Sequence, residues 1–384
     1  MKVCIDARYV FPKMDGIGRY LINLIDKLSK VTLNNENIHF YVLEVDKFSV
    51  DSLLRQFDNR KNITFIKIPV LPQTIRNHFI GRYLKNLEID IYHYPQFDLP
   101  WFLSGLKIVT SIMDMNPQKL REFFPNKFGW IKRYYSILTN WIALKKSDKL
   151  ITISESTKKE LMNFYGFKNQ DKIKAIHLGV NDRFFKDQNK VTLKNKLTEL
   201  KQKFKIERYF LYVGNNRPHK NLERVLQAFA IVLKEVNPDI KFLIVGQQLK
   251  NNPGINTYLN KLDIINNVLI AELNDEELFA IYSGAEAFIF CSLSEGFGLP
   301  VLEAMVQGTP VITSNLSSLK EIAEDAALLV DPFSIEDIYK GMLKIVLDKE
   351  FRDELSRKGL AKSKEFTWDK CAEETLKIYS GLLG

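Results

Sequence analysis

Cysteine is scarce: Cys4, Cys291 and Cys371 are an odd, scattered set in 384 residues. That excludes a disulfide framework and a thiolate metal cage, and reads as reduced, buried small residues. The five histidines, His39, His78, His93, His177 and His219, form no HxxxH or HExxH pattern, so no tightly held metal is expected. Long apolar runs are missing too. The longest, such as VLQAFAIVL, fall short of the ~20 residues that a bilayer span requires. The opening MKVCIDARYV enters a strand-like run without a charged leader, apolar core and cleavage site, so the expectation is a cytosolic chain.

Acidic residues are thin in the first half. Residues 1–200 carry 33 Lys/Arg against 20 Asp/Glu, a balance of +13, whereas 201–384 carry 22 against 26, a balance of −4. The asymmetry points to an anionic partner for the first half: nucleic acid, an acidic membrane surface or a phosphorylated acceptor. The length and the 46% hydrophobic content indicate two or three globular domains.

What is present is a repeating pattern. VCIDA, IHFYVLE, ITFIKIP, IDIYHY, KIVTSIMD and KLITIS are strand candidates separated by longer polar or amphipathic stretches. Between the first two, Ile17, Tyr20, Leu21, Leu24, Ile25 and Leu28 recur at helical spacing. A Lys-rich polar stretch follows KAIHLGVNDRFF, and the alternation then resumes with YFLYVG, IKFLIVG, VLIAEL, AFIFCS, PVITSN and ALLVDP. The reading is α/β, with two tandem doubly wound parallel-sheet domains joined between about 180 and 207. The closing FTWDKCAEETLKIYSGLL predicts an amphipathic helix.

In such folds ligands bind where strands run out into helix N-termini. Three loops have that setting. Asp15-Gly16-Ile17-Gly18-Arg19-Tyr20 lets backbone approach an anion, but Leu21 spoils a dinucleotide fingerprint, and a plain turn accounts for the same residues. Gly214-Asn215-Asn216-Arg217-Pro218-His219-Lys220-Asn221 clusters Arg217, His219 and Lys220 where a helix begins. Cations there are unfavourable unless an anion such as pyrophosphate neutralises them; a solvated basic turn is the alternative. The third is EGFGLPVLEAM, with Glu295 in the loop, Pro300 in the first helical turn, Glu303 one turn further and Gly308 as terminator. Backbone N–H groups from Phe297 to Val301 would face a phosphate or sugar, and the two carboxylates can accept from paired hydroxyls.

These pieces, with ISESTKKEL, GTPVITSN and EDAALLVDP in order along nearly the whole chain, resemble the retaining GT-B glycosyltransferases of family 4, mannosyltransferase-like members most closely. The resemblance implies two Rossmann-like domains facing across a cleft: 1–190 on the acceptor side, joined by a terminal helix at 366–384, and 191–365 binding a nucleotide-sugar donor. It implies Glu303 on the donor ribose, Glu295 on the transferred sugar and Lys220 on the diphosphate with Arg217 beside it. Gly296, Phe297, Gly298 and Leu299 line the donor, and Gly16 and Gly18 close toward the phosphates. A hexose would pass to a saccharide or lipid-linked saccharide hydroxyl in surface-polysaccharide assembly, with GDP-mannose the first candidate donor and a UDP-sugar the second. No cofactor or metal is implied, because cationic groups stabilise the leaving diphosphate. Attack from the leaving-group face, with the phosphate taking the acceptor proton, leaves Glu295 no nucleophilic role.

Two positions depart from the family. Met113 stands where many relatives have His, and Cys291 where Pro is common. Asp114, retained, is an acceptor-side candidate, and a strand-end turn explains it equally. The run 121–147 interleaves Phe123, Phe124, Phe128, Trp130, Tyr134, Tyr135 and Trp141 with Lys127, Lys132, Arg133, Lys145 and Lys146. It reads either as core rings beneath a solvated cationic face or as a seat on an anionic membrane, which would make the chain peripheral to the inner leaflet. Two other readings compete with the enzyme. A silent sugar-nucleotide-binding partner is suggested by Met113, and a nucleic-acid binder by the basic first half, although no recognition motif for nucleic acid is present.

Overall fold

Val, Ile, Phe and Tyr runs of four to seven residues supply every buried strand, and the apolar stripes between them supply the covering helices. The structure is a computed structural model that describes all residues except 12–15, 34, 49–52, 73, 121–122, 124–128, 186–189, 237–238 and 247–252. Asp15, Phe124, Lys127 and Phe128 therefore lie outside the described residues. The chain divides into two units, residues 1–179 with 367–384, and residues 180–366. Residues 180–190, grouped in the sequence reading with the first domain, group here with the second.

The first unit runs β1 (Lys2–Asp6), α1 (Gly16–Val31), β2 (His39–Val45), β3 (Ile63–Ile68), α2 (Gly81–Leu84), β4 (Ile91–Tyr94), β5 (Lys107–Ile112), α3 (Asn116–Lys119), α4 (Gly129–Lys146), β6 (Lys149–Thr152), α5 (Glu155–Tyr165) and β7 (Ile173–Ala175). Its sheet is parallel with order β3-β2-β1-β4-β5-β6-β7, and Val3 pairs with Phe40 on one side and Ile91 on the other. The six strands read from sequence in this half all form. Edge strand β7 does not announce itself, since it is three residues long with Lys174 at its centre.

The second unit runs α6 (Asp182–Phe185), α7 (Lys190–Phe204), β8 (Tyr209–Val213), α8 (Leu222–Glu235), β9 (Lys241–Val245), α9 (Pro253–Lys261), β10 (Val268–Ala271), α10 (Asp275–Ser283), β11 (Ala287–Phe290), α11 (Leu299–Val306), β12 (Val311–Ser314), α12 (Ser317–Ala323), β13 (Leu328–Val330), α13 (Ile335–Leu347) and α14 (Lys349–Ser363). Its parallel sheet has order β10-β9-β8-β11-β12-β13. The Lys-rich join is helix α7. Leu193, Leu197, Leu200 and Phe204 form its inner stripe, Leu200 is fully buried, and the Leu197 methyls fill the space above Gly284.

The last helix, α15 (Trp368–Leu383), belongs to the first unit. It packs on α1, with Trp368 beside Tyr20 and Lys27 Nζ 2.6 Å from Asp369 Oδ2. The Tyr379 hydroxyl lies 2.5 Å from His93 Nδ1, and His93 Nε2 lies 2.7 Å from Ser111 Oγ. Nearby, the fully buried Asp6 and Arg8 pair at 2.6 Å, and Arg8 also donates to Val70 O and Asn77 Oδ1. Satisfying every polar atom is what makes a buried ion pair tolerable.

Burial lowers the His93 pKa from 6.5 to about 3, so the folded chain keeps this ring neutral where the unfolded chain protonates it. Its contribution to stability is complete above pH 6.5 and is lost as pH falls toward 3, at up to about 1.4 kcal/mol per pH unit. In urea titrations across that window, His93→Gln is expected to lose stability less steeply than wild type. Parallel curves would contradict this assignment.

Candidate functional site

In the second sheet the strand order reverses between β8 and β11, so the loops leaving their carboxyl ends lie side by side at the switch point. One is the basic loop and the other the acidic one.

The basic loop is braced by its own backbone. Pro218 opens a single 3-10 turn through Lys220, and Asn221 closes it in the left-handed region at φ 60°. Asparagine tolerates that geometry, and here its buried side chain also donates to Cys291 O at 3.0 Å and Pro332 O at 2.7 Å. Leu293 N–H donates to His219 O at 2.7 Å, a second tie between the loops. His219 is itself buried, whereas Arg217 is exposed, with its N–H on Asn215 Oδ1.

The acidic loop is gripped from α12. Ser318 Oγ donates to Glu295 O at 2.9 Å and Phe297 O at 2.6 Å, and Ser317 Oγ accepts from Glu295 N–H at 3.3 Å. Phe297 is buried edge-on against Phe366, so its ring is core and only its backbone faces the loop. Gly298 at φ 123° turns the chain into α11, with Pro300 in the first turn.

These ties bring Lys220 and Glu295 together across 75 residues of sequence. Lys220 Nζ donates to Glu295 Oε1 at 2.7 Å and Oε2 at 2.9 Å, and it sits 5.1 Å from the centre of the Phe290 ring. The two side chains are 17% and 12% exposed. Glu295 also bears on Tyr212, whose hydroxyl pKa is pushed up by burial and, secondarily, by that carboxylate. Glu303, one turn into α11, is buried and accepts from the Tyr282 hydroxyl at 3.2 Å. Leu299 and Gly296 are half-buried.

The remaining candidates lie in the first unit. Gly16 is the exposed first residue of α1, and Gly18 is buried one position beyond Ile17. Asp114 follows β5 and accepts from Asn116 N–H at 2.8 Å, which gives it the strand-end turn role that its sequence allowed. Met113 is buried. Among the described residues no group of His, Cys, Asp or Glu could hold a metal, and all three cysteines are buried thiols. Asn221 closes the basic loop named from sequence, whereas Tyr282, Ser317 and Ser318 carry no local signal beyond SNLSSLKE, a Ser pair opening a helix.

Two Rossmann-like units, each wound about a reversed strand order, define the GT-B architecture. Residues 14–184 match the Glycosyltransferase Family 4 description and residues 194–362 match Glycosyl transferases group 1, so that together the two take in most of the chain. The chain belongs to these family-4 glycosyltransferases. It is 25% identical to O-antigen chain mannosyltransferase B of Escherichia coli over 99% of both chains. It is 27% identical to the serotype-specific mannosyltransferase WbdA of Escherichia coli over 75% of its own length, spanning 34% of that longer protein. The fold is shared with Anabaena Alr3699/HepE in complex with UDP-glucose, with a TM-score of 0.74 and 15% identity over 99% of this chain and 100% of that one.

A Cβ on Gly298 would sit 2.7 Å from Leu319 and 2.8 Å from Ile322, at a φ that side chains rarely adopt. Gly298→Ala is therefore expected to destabilise the chain by roughly 1–3 kcal/mol in urea unfolding. A change within about 0.5 kcal/mol would show that the turn is not strained.

Proposed function

We propose that the chain is a retaining, metal-independent hexosyltransferase that takes a sugar from a nucleoside-diphosphate donor held by the second unit and passes it to a saccharide or lipid-linked saccharide bound on the first. The observation that carries this reading is the contact between Lys220 and Glu295 at the switch point. One cation beside one hydrogen-bond acceptor suits a ligand that carries a diphosphate next to the hydroxyls of a sugar.

Cleaving the anomeric bond builds negative charge on the diphosphate and positive charge on the sugar. Lys220, the α11 N–H groups beyond Gly296, and Arg217 stabilise the first; Glu295 holds the sugar. Glu303, oriented by Tyr282, accepts from the ribose diol. Asp114 accepts from the acceptor hydroxyl on the first unit. The relatives' mannosyltransferase names support mannose as the sugar, which makes GDP-mannose our first candidate donor, and the UDP-glucose complex of the Anabaena neighbour makes a UDP-sugar the second. The cytoplasm supplies both donors and keeps thiols reduced. The first product fits bacterial O-antigen-type polysaccharide assembly, as the relatives' names suggest.

A sugar-nucleotide-binding partner without turnover is a second reading, favoured by the buried Met113. Donor hydrolysis or transfer decides between them. Turnover should persist in a chelator and fall about 100-fold or more in Glu295→Ala and Lys220→Ala. Donor binding with no turnover in wild type would favour the second reading, and turnover that survives both substitutions would sink the site.

A further inference from the structure

Helix α4 is inverted. It buries Ser136, Thr139 and Asn140 with Ala143 and the single large apolar side chain Leu144, while Trp130, Tyr134 and Trp141, on one stripe at spacings of four and seven, are 62%, 66% and 47% exposed. Turning rings outward and small polar groups inward leaves a large apolar area in water, and a soluble helix ordinarily does the reverse. The core reading of these rings does not hold.

The exposed area extends beyond α4. His78 bonds the Tyr135 hydroxyl at 3.0 Å and stacks on Trp101, and Phe79 stacks on Phe102 at 4.9 Å. These contacts join α4, the 3-10 turn Ile75–Phe79 and the Trp101–Phe102 loop into one surface, on which Phe79 and Phe102 are also exposed. The segments that build it carry charge of one sign, and Asp98, which bears on Tyr135 from beneath, is buried. No Asp or Glu occurs in 59–87, 99–113 or 129–147, whereas Lys132, Arg133, Lys145, Lys146, Arg76 and Arg82 all fall there.

We propose that this surface docks the chain on an anionic bilayer, with the α4 rings in the headgroup layer and the lysines on lipid phosphates. A second copy is the poorer occupant, because two acid-free cationic faces repel each other. Among the described residues no helix is long and apolar enough to cross a membrane, so attachment of this helical kind stays at the surface. The proposal goes beyond the donor reading, and vesicle binding needs no turnover, so each can fail alone.

Cosedimentation of the full chain with vesicles of phosphatidylcholine alone or with about one third phosphatidylglycerol tests it. Wild type should pellet with the anionic vesicles at low salt, and roughly tenfold less well at high salt or on phosphatidylcholine. Lys132→Glu/Lys145→Glu and Trp130→Ser/Tyr134→Ser/Trp141→Ser should each weaken binding about tenfold, with donor turnover in solution unchanged, while Lys194→Glu/Lys261→Glu in the second unit changes nothing. Quenching of wild-type tryptophan by brominated lipid checks insertion without any substitution. Wild type that stays in the supernatant at low salt, a ring variant that still pellets fully, or rings that dimerise the protein instead would overturn it.

Discussion

A lysine and a carboxylate, both part-buried, sit 2.7 Å apart where two loops meet, and each gives the other an opposite charge at hydrogen-bond distance. Lys220 ends a turn that opens a helix, where backbone N–H groups already concentrate positive charge. From sequence, either an anion neutralises it or the turn is solvated. The structure shows that the protein supplies that anion itself, from the neighbouring loop. The pair requires β8 and β11 to be adjacent, which the doubly wound order provides, and it requires both loops to be rigid. Asn221 and Ser318 supply the rigidity by saturating carbonyls of Cys291, Pro332, Glu295 and Phe297.

Under the proposed function the pair is also what a donor must open. A diphosphate competes with Glu295 for Lys220, and a nucleotide sugar compensates the displaced carboxylate with hydroxyl donors. A nucleoside diphosphate lacks the transferred sugar whose hydroxyls would meet Glu295, and its own charge repels that carboxylate. The same carboxylate thus favours substrate over product, which suits an enzyme that must release the diphosphate after each transfer.

Much of this fold was legible because central parallel strands are continuous apolar runs, as in FLYV and AFIF. β7 was not, because an edge strand of three residues with a central lysine has no such run. α7 was hidden by its lysines, although Leu193, Leu197, Leu200 and Phe204 carried the helical period. At the candidate site, residue types and loop positions could be read, but a contact between positions 220 and 295 depends on strand order, which no local pattern encodes. Tyr282 was invisible for the same reason. In α4 the ring spacing was plain, yet periodicity does not say which face is inside; the small polar residues at 136, 139 and 140 decide that only once the helix is packed.

Whether Lys220 and Glu295 act on one ligand is measured by calorimetric titration of nucleoside diphosphate, and of its nucleotide sugar, into wild type, Glu295→Gln, Lys220→Met and the double variant. Glu295→Gln should bind the diphosphate several-fold more tightly than wild type and its nucleotide sugar more weakly, and the first gain should disappear when Lys220 is Met. Glu295→Gln weakening both ligands equally, or changing diphosphate affinity to the same degree with and without Lys220, would contradict it.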